Sequence, residues 1–233
     1  DVLKVSKRIA RKMITFGEET DCNYVIRNIE SKGGSQNFTI YDSKNNSKYD
    51  FLLNLPGKHN VFNASAAIAV ALEEQIGIEK IRKAISDFSG VGRRYEKHKV
   101  NIESKKITLI DDYGHHPIEI RCNLNGIKEE YPNKRICMIF QPHRYTRTAQ
   151  LFDDFVDVLM MADCLILLDI YSASEKPIKD INSKRIVESI IKKGHKDVTH
   201  LKDGDDIIDF IKLKKDSYDI LAVSYTHLTL PTR

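Results

Sequence analysis

Residues 135–144 read Arg135-Ile136-Cys137-Met138-Ile139-Phe140-Gln141-Pro142-His143-Arg144, with polar residues following directly on an apolar run. An apolar run of this length that ends abruptly in polar residues is typical of a buried strand. A second run, Ile107-Thr108-Leu109-Ile110, ends in the same way in Asp111-Asp112-Tyr113-Gly114-His115-His116-Pro117. Because open parallel sheets bind ligands at the carboxyl ends of their strands, the two polar clusters are predicted to form one active-site rim.

From about residue 108 onward, strand-like runs alternate with helical patterns, which predicts an α/β fold with a mostly parallel sheet and helices on both faces. The predicted strands are residues 107–110, 135–140, 164–169, 198–201 and 219–223. The predicted helices are residues 117–131, 148–161, 183–193 and 204–213. After the third of these strands, residues 169–175 add polar groups to the same edge of the sheet.

The first part of the chain has a different pattern. Its β-rich stretches are broken by Gly33-Gly34 and Asn45-Asn46, which are hairpin signals. The predicted strands are residues 23–29, 37–41 and 48–53, followed by helices at residues 63–75 and 78–86. The turn at residues 88–92 predicts a first domain of residues 1–92 and a second of residues 93–223, and residues 224–233 are predicted to be a non-native tail.

Composition narrows the class of protein. The 233 residues are 41% hydrophobic and 30% charged, as in soluble globular proteins. The 37 basic and 33 acidic residues give a net charge of only +4, spread along the chain, so no nucleic-acid partner is indicated. No apolar run approaches the length of a membrane span, and the four cysteines form no CxxC pair. A cytoplasmic protein that binds small molecules is expected.

Two segments near the predicted domain boundary carry candidate binding residues. His59, Asn60 and Asn63 follow a Gly-containing turn, where an imidazole can pack on a base and amides can bond its edge. The alternative is that Asn60 or Asn63 caps a helix. Arg93 and Arg94 follow a flexible turn, where guanidinium groups can clamp a phosphate, or they are a solvated surface pair.

The cluster after residue 110 can serve several kinds of chemistry. Asp111 and Asp112 can accept hydrogen bonds from ribose hydroxyls, and His115 and His116 can bind an anion or shuttle a proton. A metal site is the alternative, because His and Asp are both metal ligands. Adjacent histidines rarely meet one ion at tetrahedral angles, however, and no third ligand has suggestive spacing, so no metal ligand is predicted here.

The cluster after residue 140 is richer in cations. Arg144 and Arg147 can hold a carboxylate or phosphate through their guanidinium forks and orient it for reaction, with His143 beside them. Surface salt bridges are the alternative. The matching position of the histidine pair at the end of the other strand favours a functional role.

Five segments occur in the order and spacing of one known family: residues 55–63, 90–94, 111–117, 141–148 and 151–155. On these motifs the chain resembles the Mur ligases, the ATP-dependent ligases of peptidoglycan precursor synthesis, over residues 14–222. It is most similar to those that join L-alanine to UDP-N-acetylmuramate. The resemblance implies the second half of a P-loop-type ATP-binding α/β domain, followed by a Rossmann-like C-terminal domain.

The resemblance also implies roles for individual residues. In the family, ATP phosphorylates the lactyl carboxylate of the UDP-sugar, and the amine of the amino acid attacks the acyl phosphate. His59, Asn60 and Asn63 would hold the adenine, Arg94 a phosphate and Asp112 the ribose. The pocket for alanine and the acyl phosphate would be lined by Tyr113, His115, His143, Arg144 and Arg147. A histidine would be the candidate general base for the amine.

The family's Gly-rich phosphate loop, Mg²⁺ ligands and UDP-sugar-binding domain all precede the segments matched here. The chain alone is therefore expected to be inactive. Two other functions stay open. A sister ligase attaches a recycled tripeptide to the same UDP-sugar, but it lacks the His-Arg-Tyr-Thr-Arg run of residues 143–147. A catalytically silent nucleotide-binding module is the other alternative, although such a module has no need for the polar rim.

Overall fold

The computed structural model describes residues 10–202 and 204–225. The chain divides into two compact units, residues 1–89 and residues 90–233. The boundary lies between Ser89 and Gly90, a few residues before the one predicted from sequence.

From residue 10 onward, where the structure describes it, the first unit is a four-stranded sheet covered by two helices. Its strands lie in the order β1-β2-β3-β4, with β2, β3 and β4 antiparallel as the hairpin signals predict. Helices α1 and α2 contribute Val61, Ile68 and Ile81 to the core that the sheet forms with Ile26 and Phe38. The bounds are β1 Phe16–Gly17, β2 Tyr24–Lys32, β3 Ser35–Asp42, β4 Ser47–Leu53, α1 Lys58–Glu73 and α2 Ile78–Asp87.

Helix α1 begins earlier than predicted. Its N-cap is Gly57, with φ of 88° and no side-chain cap, so the alternative that Asn60 or Asn63 caps the helix is wrong. Glycine adopts this left-handed conformation readily, whereas an L side chain does not. The turn at Pro56-Gly57 therefore lets the helix start at Lys58, and it places His59, Asn60 and Asn63 on its first two turns.

The second unit is a six-stranded sheet in the order β5-β6-β10-β7-β8-β9. Every neighbouring pair is parallel except β5 and β6, which confirms the predicted α/β fold with a mostly parallel sheet. The antiparallel edge strand β5 was not predicted. The bounds are β5 Glu96–Ile102, β6 Lys105–Asp112, β7 Ile136–Phe140, β8 Cys164–Leu168, β9 Val198–Leu201 and β10 Ile220–Ser224.

Helices cover both faces of this sheet. Ile120, Phe155 and Ile186 from three helices pack on one face, and Ile207 and Ile211 of a fourth pack on the other. The bounds are α3 Pro117–Glu130, α4 Tyr145–Gln150, α5 Phe152–Leu159, α6 Ser183–Lys192 and α7 Gly204–Leu213. The single helix predicted over residues 148–161 is wrong, because α4 ends and α5 begins at Leu151, whose φ of −117° departs from helical values.

Strand β10 lies between β6 and β7. Val223 pairs with Asp111 on one side and with Ile139 on the other. Because neighbouring strands are about 5 Å apart, the ends of β6 and β7 lie about 10 Å apart, and their loops can face each other across the end of β10. Ser224 is the last residue of this strand, one residue beyond the predicted end. The part of the predicted tail from residue 226 onward lies outside the described residues.

Asn182 caps α6, and its removal gives a first test of the fold. Its side chain accepts a hydrogen bond of 2.9 Å from the Arg185 backbone N–H. Asn182→Ala should lower the free energy of unfolding by about 1 kcal/mol, because this N–H loses its acceptor. Urea unfolding of the chain measures the effect, with Asn182→Asp as the control that keeps an acceptor. An alanine variant as stable as the parent would contradict the assignment of this cap.

Candidate active site

Asp112 organises the loop after β6, residues 113–116, which we call the β6 loop. Its Oδ1 accepts a hydrogen bond of 2.6 Å from the Gly114 N–H, and its Oδ2 accepts one of 2.9 Å from the Tyr95 N–H. Burial raises the pKa of the Asp112 carboxyl, and the two backbone hydrogen bonds oppose that shift. The buried carboxylate thus fixes the backbone from which the next side chains project.

Glu119 holds the other end of the β6 loop at the start of α3. Its Oε2 accepts hydrogen bonds from the backbone N–H of His115 at 2.9 Å and of His116 at 3.1 Å. Burial acts to raise the pKa of Glu119, but these two N–H groups, together with the nearby charges of His115 and Arg94, outweigh it and the pKa is lowered. The His116 Nδ1 accepts from the Ile118 N–H at 3.2 Å. His116 is therefore the helix cap, and His115 is the histidine that faces the rim.

The two histidines that face the rim, His115 and His143, have opposite hydrogen-bonding roles. The His115 Nδ1 lies 3.2 Å from the Tyr113 carbonyl, which can only accept, so the proton lies on Nδ1 and the lone pair on Nε2. The His143 Nδ1 lies 3.3 Å from an Arg147 Nη1, which can only donate, so this ring carries its proton on Nε2. His115 can therefore accept a proton at Nε2, and His143 can donate a hydrogen bond there.

Four rings form a row across the ends of β6, β7 and β8. The His115 and His143 ring centroids are 5.7 Å apart, so the two predicted polar clusters lie side by side. Tyr113 meets His115 edge-on at 5.7 Å, and Tyr171 stacks on His143 at 5.5 Å. Polarisable rings that carry hydrogen-bonding groups therefore line this edge of the sheet.

The predicted arginines occupy the same edge. Arg147 lies one helical turn after His143 and donates to its carbonyl at 3.3 Å as well as to its ring. Arg144 has a half-exposed side chain, with Nη1 3.7 Å from the Glu175 Oε1. Tyr171 and Glu175 were not among the predicted site residues. Their position directly after β8 was the signal that could have identified them.

Of the two adjacent arginines, Arg93 is the more buried and has the more contacts within the unit. Its guanidinium lies between the rings of Tyr113, at 5.4 Å, and Tyr225, at 5.3 Å, and its Nε is 3.4 Å from the Asp111 Oδ2. The Arg94 side chain is half exposed, with Nη1 3.6 Å from the Glu119 Oε1. Arg94 is therefore the one whose guanidinium can reach a ligand from solvent.

In the first unit, His59, Asn60 and Asn63 share one surface of α1. The His59 ring lies over Gly57, where an added Cβ would come within 2.7 Å of it. The Asn60 Nδ2 donates to the Pro56 carbonyl at 2.8 Å, which leaves the amide oxygen as an acceptor. Asn63 is exposed one turn after His59.

The described residues contain neither a cluster of metal ligands nor a membrane-spanning helix. Residues 10–202 and 204–225 contain no group of three or more His, Cys, Asp or Glu side chains that could hold a metal ion. Within the same ranges, a helix of sufficient length and apolar character to cross a membrane does not occur.

Comparison with known proteins identifies the family. The family model described as Mur ligase, glutamate ligase domain matches residues 93–224, and that described as Mur ligase middle domain matches residues 1–71. A UDP-N-acetylmuramate–L-alanine ligase of Hydrogenovibrio crunogenus is 42% identical over 196 residues, which are 84% of this chain and 42% of that protein.

Solved structures agree with this similarity. A UDP-N-acetylmuramate–alanine ligase of Thermotoga maritima matches with a TM-score of 0.70 and 26% identity, covering 92% of this chain and 45% of that one. A murein peptide ligase of Psychrobacter arcticus matches with a TM-score of 0.63 and 22% identity, covering 91% and 42%, and shows likeness of fold alone. This chain spans less than half the length of these relatives. Because the C-terminal match alone covers more than half of its residues, the chain belongs to the Mur ligase family.

Proposed function

We propose that this chain is part of a cytoplasmic ATP-dependent ligase that joins L-alanine to the lactyl carboxylate of UDP-N-acetylmuramate through an acyl phosphate. In this proposal residues 1–92 are the second half of the ATP-binding domain, and residues 93–223 are the C-terminal domain. The observation that carries it is the rim at the ends of β6 and β7, where His115 and His143 lie 5.7 Å apart beside Arg144 and Arg147. The 42% identity to a ligase of that name supports the choice of substrates.

The rim supplies what amide formation from an acyl phosphate requires. Arg144 and Arg147 hold the carboxylate of L-alanine and so aim its amine. The amine nitrogen bonds to the acyl carbon, the bond from that carbon to the phosphate oxygen breaks, and inorganic phosphate leaves. His115 accepts the amine proton at Nε2, and the His143 Nε2–H stabilises negative charge that develops on the acyl oxygen. Tyr113 lines the same pocket.

Each domain, taken by itself, offers groups suited to binding part of a nucleotide. ATP supplies, when bound, the phosphoryl group that activates the carboxylate. His59 and the amides of Asn60 and Asn63 offer a flat ring and hydrogen-bonding groups suited to adenine, and Arg94 offers a guanidinium for a phosphate. Both Asp112 oxygens already accept one N–H each, so a ribose hydroxyl would use their second lone pairs. Mg²⁺ is expected with ATP, and we assign it no ligand among these residues.

The chain by itself is expected to be inactive. Purified alone, it should release no ADP in response to L-alanine and UDP-N-acetylmuramate, because it spans 42% of the length of its relative. The matched control is a complete ligase, in which the corresponding segment of the H. crunogenus enzyme is replaced by residues 1–223 of this chain. Substrate-dependent ADP release from the isolated chain would overturn this expectation.

The substrate preference of the same complete ligase distinguishes the proposed function from the two alternative functions. Turnover with L-alanine but not with a tripeptide supports the proposed function, and the reverse preference would identify a tripeptide-adding ligase. Nucleotide binding without turnover of either substrate would identify a silent module.

A further inference from the structure

The loop after β8, residues 169–175, is bonded to the loop that carries Arg144. The Arg144 N–H donates to the Tyr171 carbonyl at 2.8 Å, and the Tyr171 N–H donates to the Pro142 carbonyl at 2.8 Å. The Tyr171 ring also stacks on His143. Residues 169–175, which we call the β8 loop, are therefore a support for the cationic part of the rim.

Glu175, at the end of the β8 loop, is directed at the first turn of α4. Its Oε2 accepts from the Thr146 N–H at 3.0 Å, and its Oε1 accepts from the Thr146 Oγ1 at 2.7 Å. These hydrogen bonds lower the pKa of Glu175, with the Arg144 charge adding to the effect, so the group is anionic at neutral pH. The carboxylate is thus fixed by Thr146 rather than by the arginine.

The Arg144 guanidinium lies near the Glu175 carboxylate without donating a hydrogen bond to it from Nη1. Its Nη1 is 3.7 Å from the Glu175 Oε1, beyond hydrogen-bonding distance, and half of its side chain is exposed. Glu175 therefore attracts and orients the guanidinium without occupying its fork, which stays available for a second carboxylate.

The backbone of both loops is held in an unfavourable conformation. Arg144, Ala173 and Ser174 have φ of 74°, 48° and 69°, although none of them is glycine. Such residues persist only where their surroundings enforce them, and they cluster at functional sites. The two backbone hydrogen bonds at Tyr171 join these loops beside the strained residues and hold that conformation.

We propose that Glu175 is a positioning residue that sets the Arg144 guanidinium for the carboxylate of the incoming amino acid. This inference rests on the proposed function of the rim. It predicts that Glu175 acts on the amino-acid substrate alone and contributes little to ATP use or to the stability of the fold.

The test is Glu175→Gln in the complete ligase. Glutamine keeps an oxygen toward Thr146 but removes the charge that orients Arg144. The KM for L-alanine should rise roughly threefold to tenfold, whereas kcat and the KM for ATP should stay within twofold of the parent values. Glu188→Gln, the same change on the exposed side of α6, is the matched control and should alter none of the three.

Arg144→Ala, measured in parallel, separates two kinds of failure. If Arg144→Ala raises the KM for L-alanine and Glu175→Gln does not, the positioning role is overturned and the proposed function stands. If neither variant changes it, the assignment of the carboxylate site falls, and the positioning role with it. Equal changes in the KM for ATP and for L-alanine in Glu175→Gln would show a general structural defect and would also overturn the proposal.

Discussion

Arg147→Ala is expected to lower kcat/KM for L-alanine in the complete ligase by about a hundredfold, a loss of about 3 kcal/mol. Two effects combine. The substrate carboxylate loses a guanidinium fork, and the His143 Nδ1 loses the donor, at 3.3 Å, that keeps its proton on Nε2. Steady-state kinetics with L-alanine varied at saturating ATP measure the result, and the KM for ATP should be nearly unchanged.

Two controls refine that result. Arg147→Lys keeps the charge without the planar fork, so it should recover only part of the lost activity. Arg121→Ala removes an exposed arginine of α3 that lies outside the rim, and it should have no effect on the kinetics. A normal KM and kcat for L-alanine in Arg147→Ala would mean that this arginine is only a surface group.

Gly114→Ala should damage both the fold and the activity. An added Cβ would lie 2.6 Å from the Asp112 Oδ1 and 3.2 Å from the Glu119 Cβ. The Asp112 carboxylate has no easy way to move, because it accepts the N–H groups of Gly114 and Tyr95. The free energy of unfolding of the chain should fall by about 1–3 kcal/mol in urea denaturation. In the complete ligase the displaced His115 should lower kcat at least tenfold, a loss of about 1.4 kcal/mol or more.

Gly77→Ala is the matched control for that experiment. Gly77 has φ of −60°, and an added Cβ there meets nothing within 4 Å. The free energy of unfolding of the Gly77→Ala variant should differ from that of the parent chain by less than about 1 kcal/mol, since only the entropy of the unfolded chain and a weak helix cap are altered. A Gly114→Ala protein as stable and as active as this control would show that the β6 loop adjusts freely.

The sequence predicts those parts of the second unit that depend on local pattern. The apolar runs at β6, β7 and β8 and the polar residues after them are local signals, and parallel sheets place such ends on one edge. The neighbouring rings of His115 and His143 follow from that rule. The helices from Pro117 and Ser183 were predicted at their observed starts, because proline and a side-chain cap mark helix N-termini.

Other features depend on contacts between distant residues, which the sequence pattern does not contain. Strand β5 is polar and half exposed, and it forms only because β6 offers an edge for antiparallel pairing. The break at Leu151 lies inside a continuous amphipathic stripe, so periodicity alone extends one helix across it. Glu175 was placed at this edge but not given a role, because its contacts with Thr146 and Arg144 span about thirty positions of the chain.

The strand order has a consequence for how the second unit folds during synthesis. The last strand of the described residues, β10, is hydrogen-bonded on both sides, to β6 more than a hundred residues earlier and to β7 more than eighty residues earlier. Until it leaves the ribosome, β6 and β7 each present an unpaired backbone edge, and closing such distant pairs is slow. The nascent chain therefore passes through a stage in which the edges of β6 and β7 are both unpaired and prone to aggregation. The rim can assemble only after β10 has paired with both strands.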